Sequence, residues 1–352
     1  NVYNVAVGYN SGTAVTTGTA NTFIGGRAGD ATTTGSTNVA VGTDALGSNT
    51  TASNNVAIGY DCLVANTTGA TNTALGTSSL ATNTTASNNT AVGHGALTAN
   101  TTGTRNNALG NLSLVANTTG DNNVALGSQT LQANTTADDN TAVGYAALNV
   151  NTTGANNTAV GKFAGLAVTT GGYNTLVGSL AGDSITTAAN NVALGYLAGS
   201  AITTGAQNTA LGSGALSSTT TGLYNIGVGY DANSSSATVT GQCTLGDTNI
   251  TNLRCNDQTI SSLSDSRDKT DVIDSPYGLD FIKTVRPVQF KWESRDGNGK
   301  DGSTRIGFLA QELLAATDGN NAVLDLVMDD NPDKLEAKYG NLLPIAIQAV
   351  QE

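Results

Sequence analysis

One spacing dominates this chain. The phrase N-x-A-[VIL]-G places its glycine at residues 8, 25, 42, 59, 76, 93, 110, 127, 144, 161, 178, 195, 212 and 229, always 17 residues apart. A weaker fifteenth copy, QCTLG, ends at Gly246. Asn stands four residues before the glycine in all fourteen copies, from Asn4 to Asn225, and Val, Ile or Leu directly precedes it. Thr-Thr follows at eight and nine residues in thirteen copies, as at Thr67-Thr68 and Thr203-Thr204. No insertion breaks the count, so each copy reads as one unit stacked on the next.

Seventeen residues is too short for most two-helix repeats, and the unit is rich in Thr, Val, Gly and Asn. It suits one coil of a β-solenoid, with two short strands and two turns predicted per rung. Alternation within the strand places Asn and Ala on one side and Val/Thr plus the aliphatic residue on the other. Neither side is charged, so one is expected to line the coil and the other to meet a second chain. Glycine supplies the tight turn, and the recurring Asn is placed to form a stacked amide ladder. Fifteen rungs at the ~4.8 Å strand spacing give a rod on the order of 70 Å long.

A substitution pattern inside the repeat predicts how the interior is filled. Seven central copies have Leu four residues after the glycine and Asn seven after it, as in Leu63/Asn66 and Leu114/Asn117. Another group carries Gly and then Val or Ile: Gly12/Val15, Gly165/Val168, Gly182/Ile185 and Gly199/Ile202. The two aliphatic positions are expected to fill one space from opposite sides of a turn. Gly29/Thr32 and Leu216/Thr219 do not follow the rule.

Charge is unevenly placed. Residues 1–260 hold four basic and ten acidic residues and the last 92 hold ten and sixteen, so each part carries a net charge of −6. An acidic chain with no basic cluster is a poor nucleic-acid binder and a poor match for anionic membranes. No run of 18 apolar residues is present, so no membrane insertion is expected. The three cysteines, Cys62, Cys243 and Cys255, lack metal-site spacing and read as isolated thiols. The chain opens inside a repeat, so residues before Asn1 are expected.

Few positions in the rod invite chemistry. Asn49, Asn66, Asn83, Asn100, Asn117, Asn134 and Asn151 each begin an N-T-T sequon, but the repeat itself explains them as turn residues. Adjacent threonines face opposite ways in a strand, so only one of each Thr-Thr pair could join a surface hydroxyl array. His94 stands alone at a variable repeat position and reads as a surface residue. DGNGKDG at 296–302 begins like a calcium loop but puts Lys300 where an oxygen ligand is needed, so it reads as a hairpin tip. No metal or cofactor is expected.

The pattern breaks at LSDSRDKTDVI (263–273), where Asp265, Arg267, Asp268, Lys269 and Asp271 arrive together. Beyond it the chain predicts a small α+β domain. A helical GLDFIKTV segment stops before Pro287, and an alternating strand follows at Val288, Phe290 and Trp292. A second strand lies near Arg305–Phe308, with helices at about 309–316 and 341–352, the last expected to continue past Glu352.

Both halves resemble known families. The N-x-A-[VIL]-G coil (1–246) resembles the left-handed β-roll heads of trimeric autotransporter adhesins and the shaft repeats of phage tail fibres. That resemblance implies a mainly β, left-handed parallel β-roll or β-solenoid in a parallel homotrimer. From about residue 261, four ordered motifs resemble the intramolecular chaperone domain of phage tail spikes, the peptidase S74 family typified by endosialidases. They are S-D-x-R-x-K, G-L-x-x-I-x-x-[LV]-x-P-V-x-F-x-W, G-F-[IL]-A-Q-E and Y-x-x-L-[LV]-P-x-x-I-x-A-[VI]-Q-E.

The second resemblance implies a domain that trimerises, aligns three chains and cuts itself off through a Ser-Lys dyad. Ser264 matches the nucleophile, Lys269 the base, and the scissile bond falls between Leu263 and Ser264. Asp265 and Arg267 match the motif's positioning residues. The division expected is a shaft at 1–246, a transition at 247–263 and a chaperone at 264–352. No activity on outside substrates is expected. The function expected is the shaft of a virion tail fibre for host attachment, with a cell-surface glycan or protein as receptor. The alternatives are a cellular adhesin or extracellular filament using the same chaperone, or the shaft of a spike with a glycan-degrading domain upstream.

Overall fold

The computed structural model describes residues 3–250, 253–254, 264–291, 304–333 and 335–352. The chain divides into two compact units, Asn1–Gly246 and Asp247–Glu352.

The first unit is a parallel β-solenoid. One sheet of fifteen strands runs in chain order from β1 (Val5–Val7) to β15 (Cys243–Leu245). Each strand pairs in parallel with the next at an offset of 17 residues, for example Val56↔Thr73 and Ala57↔Ala74. Each rung holds one three-residue strand, not the two expected. The physical reason is the backbone after the repeat glycine. In one rung Asp61, Leu63 and Thr71 take left-handed φ values of 53°, 51° and 61°. A strand cannot run through such residues, so the rest of the coil is a chain of turns tied to its neighbours by cross-rung backbone bonds, as Leu63 N–H to Ser79 O at 3.0 Å.

The repeat glycine is required twice over. Its φ lies between 119° and 144° in all fourteen copies, a region open to glycine alone. A Cβ there would also enter the next rung; at Gly127 it would lie 2.6 Å from the Gly144 carbonyl oxygen.

The strand alternates as expected, with its two faces in different surroundings. Asn and the central residue (Ala57, Ala74, Ala91) are fully buried in the coil, while Val/Thr and the terminal aliphatic residue are half-exposed or exposed. The Asn ladder works through the backbone. Oδ1 of Asn38 accepts the Asn55 N–H at 3.0 Å, and Asn55 Nδ2 donates to the Gly69 carbonyl at 2.9 Å. The first threonine of each pair adds another cross-rung bond, as Thr67 Oγ1 to Thr84 O at 3.0 Å.

The interior swap holds: Leu63 and Val168 are both fully buried. A Cβ on Gly199 would lie 3.1 Å from Ile202 Cδ1, so the two positions do share one space. The first exceptional copy has a cause that pairwise reading of two positions missed. Phe23 takes the usual alanine slot, and a Cβ on Gly12 or Gly29 would lie 2.9 or 2.6 Å from its ring. Leu176 does the same to Gly165 and Gly182, at 2.8 and 2.7 Å. Thr219 in the other exceptional copy is bonded to the Ser234 hydroxyl at 2.6 Å.

Gly199→Leu alone is expected to destabilise the rod by about 1–3 kcal/mol through overpacking, and Ile202→Ala by about 2–4 kcal/mol. The double variant is expected to lose at least ~1 kcal/mol less than the sum. Denaturant unfolding of all four proteins measures this coupling, and strict additivity would contradict the shared space.

In the second unit, α1 (Leu279–Ile282), α2 (Ala310–Ala316), α3 (Asn321–Leu324) and α4 (Leu342–Gln351) accompany two small antiparallel pairs. These are β16 (Val288–Lys291) with β17 (Thr304–Gly307), and β18 (Val327–Met328) with β19 (Glu336–Ala337). Leu313, Leu324, Leu326, Val327, Leu342 and Ile345 form the core, with Phe281, Ile282 and Phe308 packed on it. Leu342 and Ile345 account for one side of α4, while Leu343, Ile347 and Val350 on the other side are exposed. Trp292, Lys300 and the hairpin tip at 296–302 lie outside the described residues.

Candidate functional site

Ser264 and Lys269 are five residues apart, a spacing that no regular helix turns into contact. A single 3-10 turn, Ser266–Asp268, brings them together. Asp265 is its N-cap: Oδ1 accepts the Arg267 N–H at 2.9 Å, and the Lys269 N–H closes the far end on the Ser266 carbonyl at 3.4 Å. The Arg267 guanidinium folds back on the same carboxylate, with Nε 3.0 Å from Oδ1 and Nη2 2.5 Å from Oδ2. That pairing holds the Asp265 carboxyl below the usual carboxylate range and raises the Arg267 guanidinium. With the turn closed, Lys269 Nζ donates to Ser264 Oγ at 2.5 Å.

The structure thus brings together four of the five site residues expected from the sequence; Leu263, on the other side of the scissile bond, lies outside the described residues. Ser264, Asp265, Arg267 and Lys269 are all exposed on the single chain. The pair has the parts of a Ser-Lys nucleophile, in which the neutral amine takes the hydroxyl proton.

The rod's own candidates resolve as structure. All seven sequon asparagines, Asn49 to Asn151, are fully buried in a second amide ladder that the sequence reading did not find. Asn83 Nδ2 reaches Asn66 Oδ1 at 2.9 Å and the Ala86 carbonyl at 3.0 Å, and the link repeats from rung to rung. A glycan has no room there in the folded coil. The available signal was the interior swap itself, since an Asn that alternates with Val or Ile must point inward. The ladder stops at Asn151, whose buried Oδ1 has no partner because Val168 occupies the next rung.

The second threonine of each pair, such as Thr68, is exposed, one per rung. His94 is exposed, its Nδ1 3.3 Å from Asn111 Nδ2. Cys62 is buried against Ser79, and burial pushes its thiol up to about 11; Cys243 is exposed. Among the described residues no group of three or more His, Cys, Asp or Glu could hold a metal, and no helix is long and apolar enough to cross a membrane.

No curated protein and no solved structure matches this chain. Residues 264–324, beginning at Ser264 itself, do match a family model: Peptidase_S74, the chaperone of endosialidase.

Proposed function

We propose that this chain is the shaft of a homotrimeric viral tail fibre used in host attachment, aligned by its C-terminal unit, which then cuts itself free at Leu263–Ser264. The observation that carries the reading is the uncovered strand face. From Val7 to Leu245 the residue before each repeat glycine is aliphatic and partly or fully exposed; Leu109 is 50% and Leu126 37% accessible. Fifteen such residues form one unbroken apolar strip along the rod, far beyond the isolated patches a monomer tolerates. Two further copies of the same face are a natural cover, and the exposed Leu343, Ile347 and Val350 on α4 offer the C-terminal unit a similar contact.

A chaperone suits this rod because its rungs are nearly alike. Shifted pairings of three chains differ little in energy, and a terminal domain that fixes the alignment removes the ambiguity. The cut follows from the dyad. Ser264 Oγ attacks the Leu263 carbonyl carbon while the Lys269 amine takes the hydroxyl proton. The Leu263–Ser264 C–N bond breaks as the Ser264 nitrogen gains a proton, and water hydrolyses the resulting ester. A lysine serves as base where desolvation or a nearby cation favours its neutral form. Since the dyad is exposed on one chain, partner chains must supply that cover, which ties cutting to assembly.

Light scattering on the uncut Ser264→Ala protein is expected to give three times the chain mass. Leu109→Asp/Leu126→Asp, which places charges on the outer face and leaves Ala108 and Ala125 inside, is expected to yield monomers. A monomeric Ser264→Ala protein, or a trimer indifferent to both charges, rules the strip out as the interface.

A further inference from the structure

The outer column of the strand face carries one amide. Two residues before each terminal aliphatic, the column reads Val, Thr, Ile or Cys in every rung except the seventh, where it is Asn107. Asn107 is exposed, sits level with Thr90 on one side and Val124 on the other, and its side chain makes no hydrogen bond among the described residues. Its partner column, one aliphatic residue per rung, has no polar member at all. An unpaired amide in a column of Val and Thr, beside a wholly aliphatic one, costs solubility nothing while exposed. It becomes expensive once the strip is covered.

We infer that Asn107 is the register key of the assembled shaft. This rests on the trimer reading above and goes beyond it by naming what distinguishes the correct alignment from its neighbours. In register, three Asn107 side chains lie at one level. An amide has two donors and an acceptor oxygen, so three can bond in a ring across the interface. A slip of one rung sets each Asn107 against Val124, which offers nothing, or Thr90, whose hydroxyl satisfies only part of an amide. Every buried amide left unpaired disfavours the slipped form by at least about tenfold. The remaining rungs differ from one another mainly by Val for Thr, and discriminate less. A single polar residue in an otherwise apolar seam sets register in coiled coils by the same physics, at some loss of stability.

Cys243 occupies the same column in the last rung, so it reports alignment directly. In a Ser264→Ala/Cys255→Ser background, which keeps the C-terminal unit attached, chains refolded from denaturant and mildly oxidised are expected to form Cys243–Cys243 bonds between copies. When those chains are mixed with Cys243→Ser/Ile226→Cys chains, bonds between positions 226 and 243 arise only from a one-rung slip. For the otherwise unaltered shaft the slipped product is expected to be scarce. Asn107→Val, which installs a residue this column already uses, is expected to raise it at least about tenfold and to raise the melting temperature. Moving the key, with Asn107→Val/Thr141→Asn in every chain, is expected to restore the aligned product. Trimers of Asn107→Val that remain fully aligned overturn the proposal, because the C-terminal unit alone then holds register. A monomeric parent of these variants with no Cys243 bond between copies overturns the trimer reading and this proposal with it.

Discussion

Ser264→Ala is expected to leave the chain whole, while the unaltered protein resolves on a denaturing gel into residues 1–263 and 264–352. The hydroxyl is the atom that would attack the Leu263 carbonyl; loss of a catalytic nucleophile slows such reactions by roughly 10³-fold or more. Lys269→Ala is expected to stop cutting as completely. Lys269→Arg keeps the charge but also fails, because a guanidinium does not give up its proton at ordinary pH. Asp265→Ala is milder in expectation, about tenfold slower, since it removes the cap of the turn that closes Lys269 Nζ on Ser264 Oγ and leaves both reacting groups in place. Intact masses of the four variants and their parent, with the new N-terminus sequenced from Ser264, decide the matter. A wild-type chain that keeps its full mass after assembling excludes the self-cutting reading; a Lys269→Ala variant that cuts at the normal rate excludes the base.

Gly127→Ala, like alanine at the other repeat glycines, is expected to be strongly damaging for a single added methyl. The backbone there holds φ at 136°, and the added carbon would meet the next rung's carbonyl group at 2.6 Å from oxygen and 2.8 Å from carbon. Strain of this kind costs about 1–3 kcal/mol. Pushing two rungs apart adds overpacking of about 1–3 kcal/mol more. Because each rung contacts only its neighbours, the loss concentrates at one junction. Limited proteolysis is expected to nick the variant near residues 119–128 while the flanking rungs stay protected. A Gly127→Ala protein as resistant as its parent would show that the junction relaxes without cost.

How much of this was legible depended on which residues repeat. The solenoid was visible because Asn and Gly recur without a single slip, and parallel pairing at an offset of 17 follows. The number of strands per coil was not visible. It depends on Leu63 and its counterparts adopting left-handed φ, which no pattern of leucines announces. The paired filling of the interior was readable from Leu63/Asn66 against Gly165/Val168, whereas the role of Phe23 required two rungs to be seen together. At the site, the motif named Ser264 and Lys269, but what closes a five-residue gap is the Asp265 carboxylate on the Arg267 N–H, a contact between neighbours two apart. Spacing alone could not say that the turn would form.

The amide ladder that ends at Asn151 also bears on how the shaft carries load. The bonds joining successive rungs run from one coil to the next, so a pull along the rod places the junctions in series and the weakest one sets the breaking force. Between Asn66 and Asn151 each junction has an interior amide bond in addition to the backbone and threonine links. At the next junction that bond is missing and a buried oxygen faces a valine. Under tension the ladder-bound segment from Asn66 to Asn151 should hold as a stiff rod, while the coil parts at a junction beyond it.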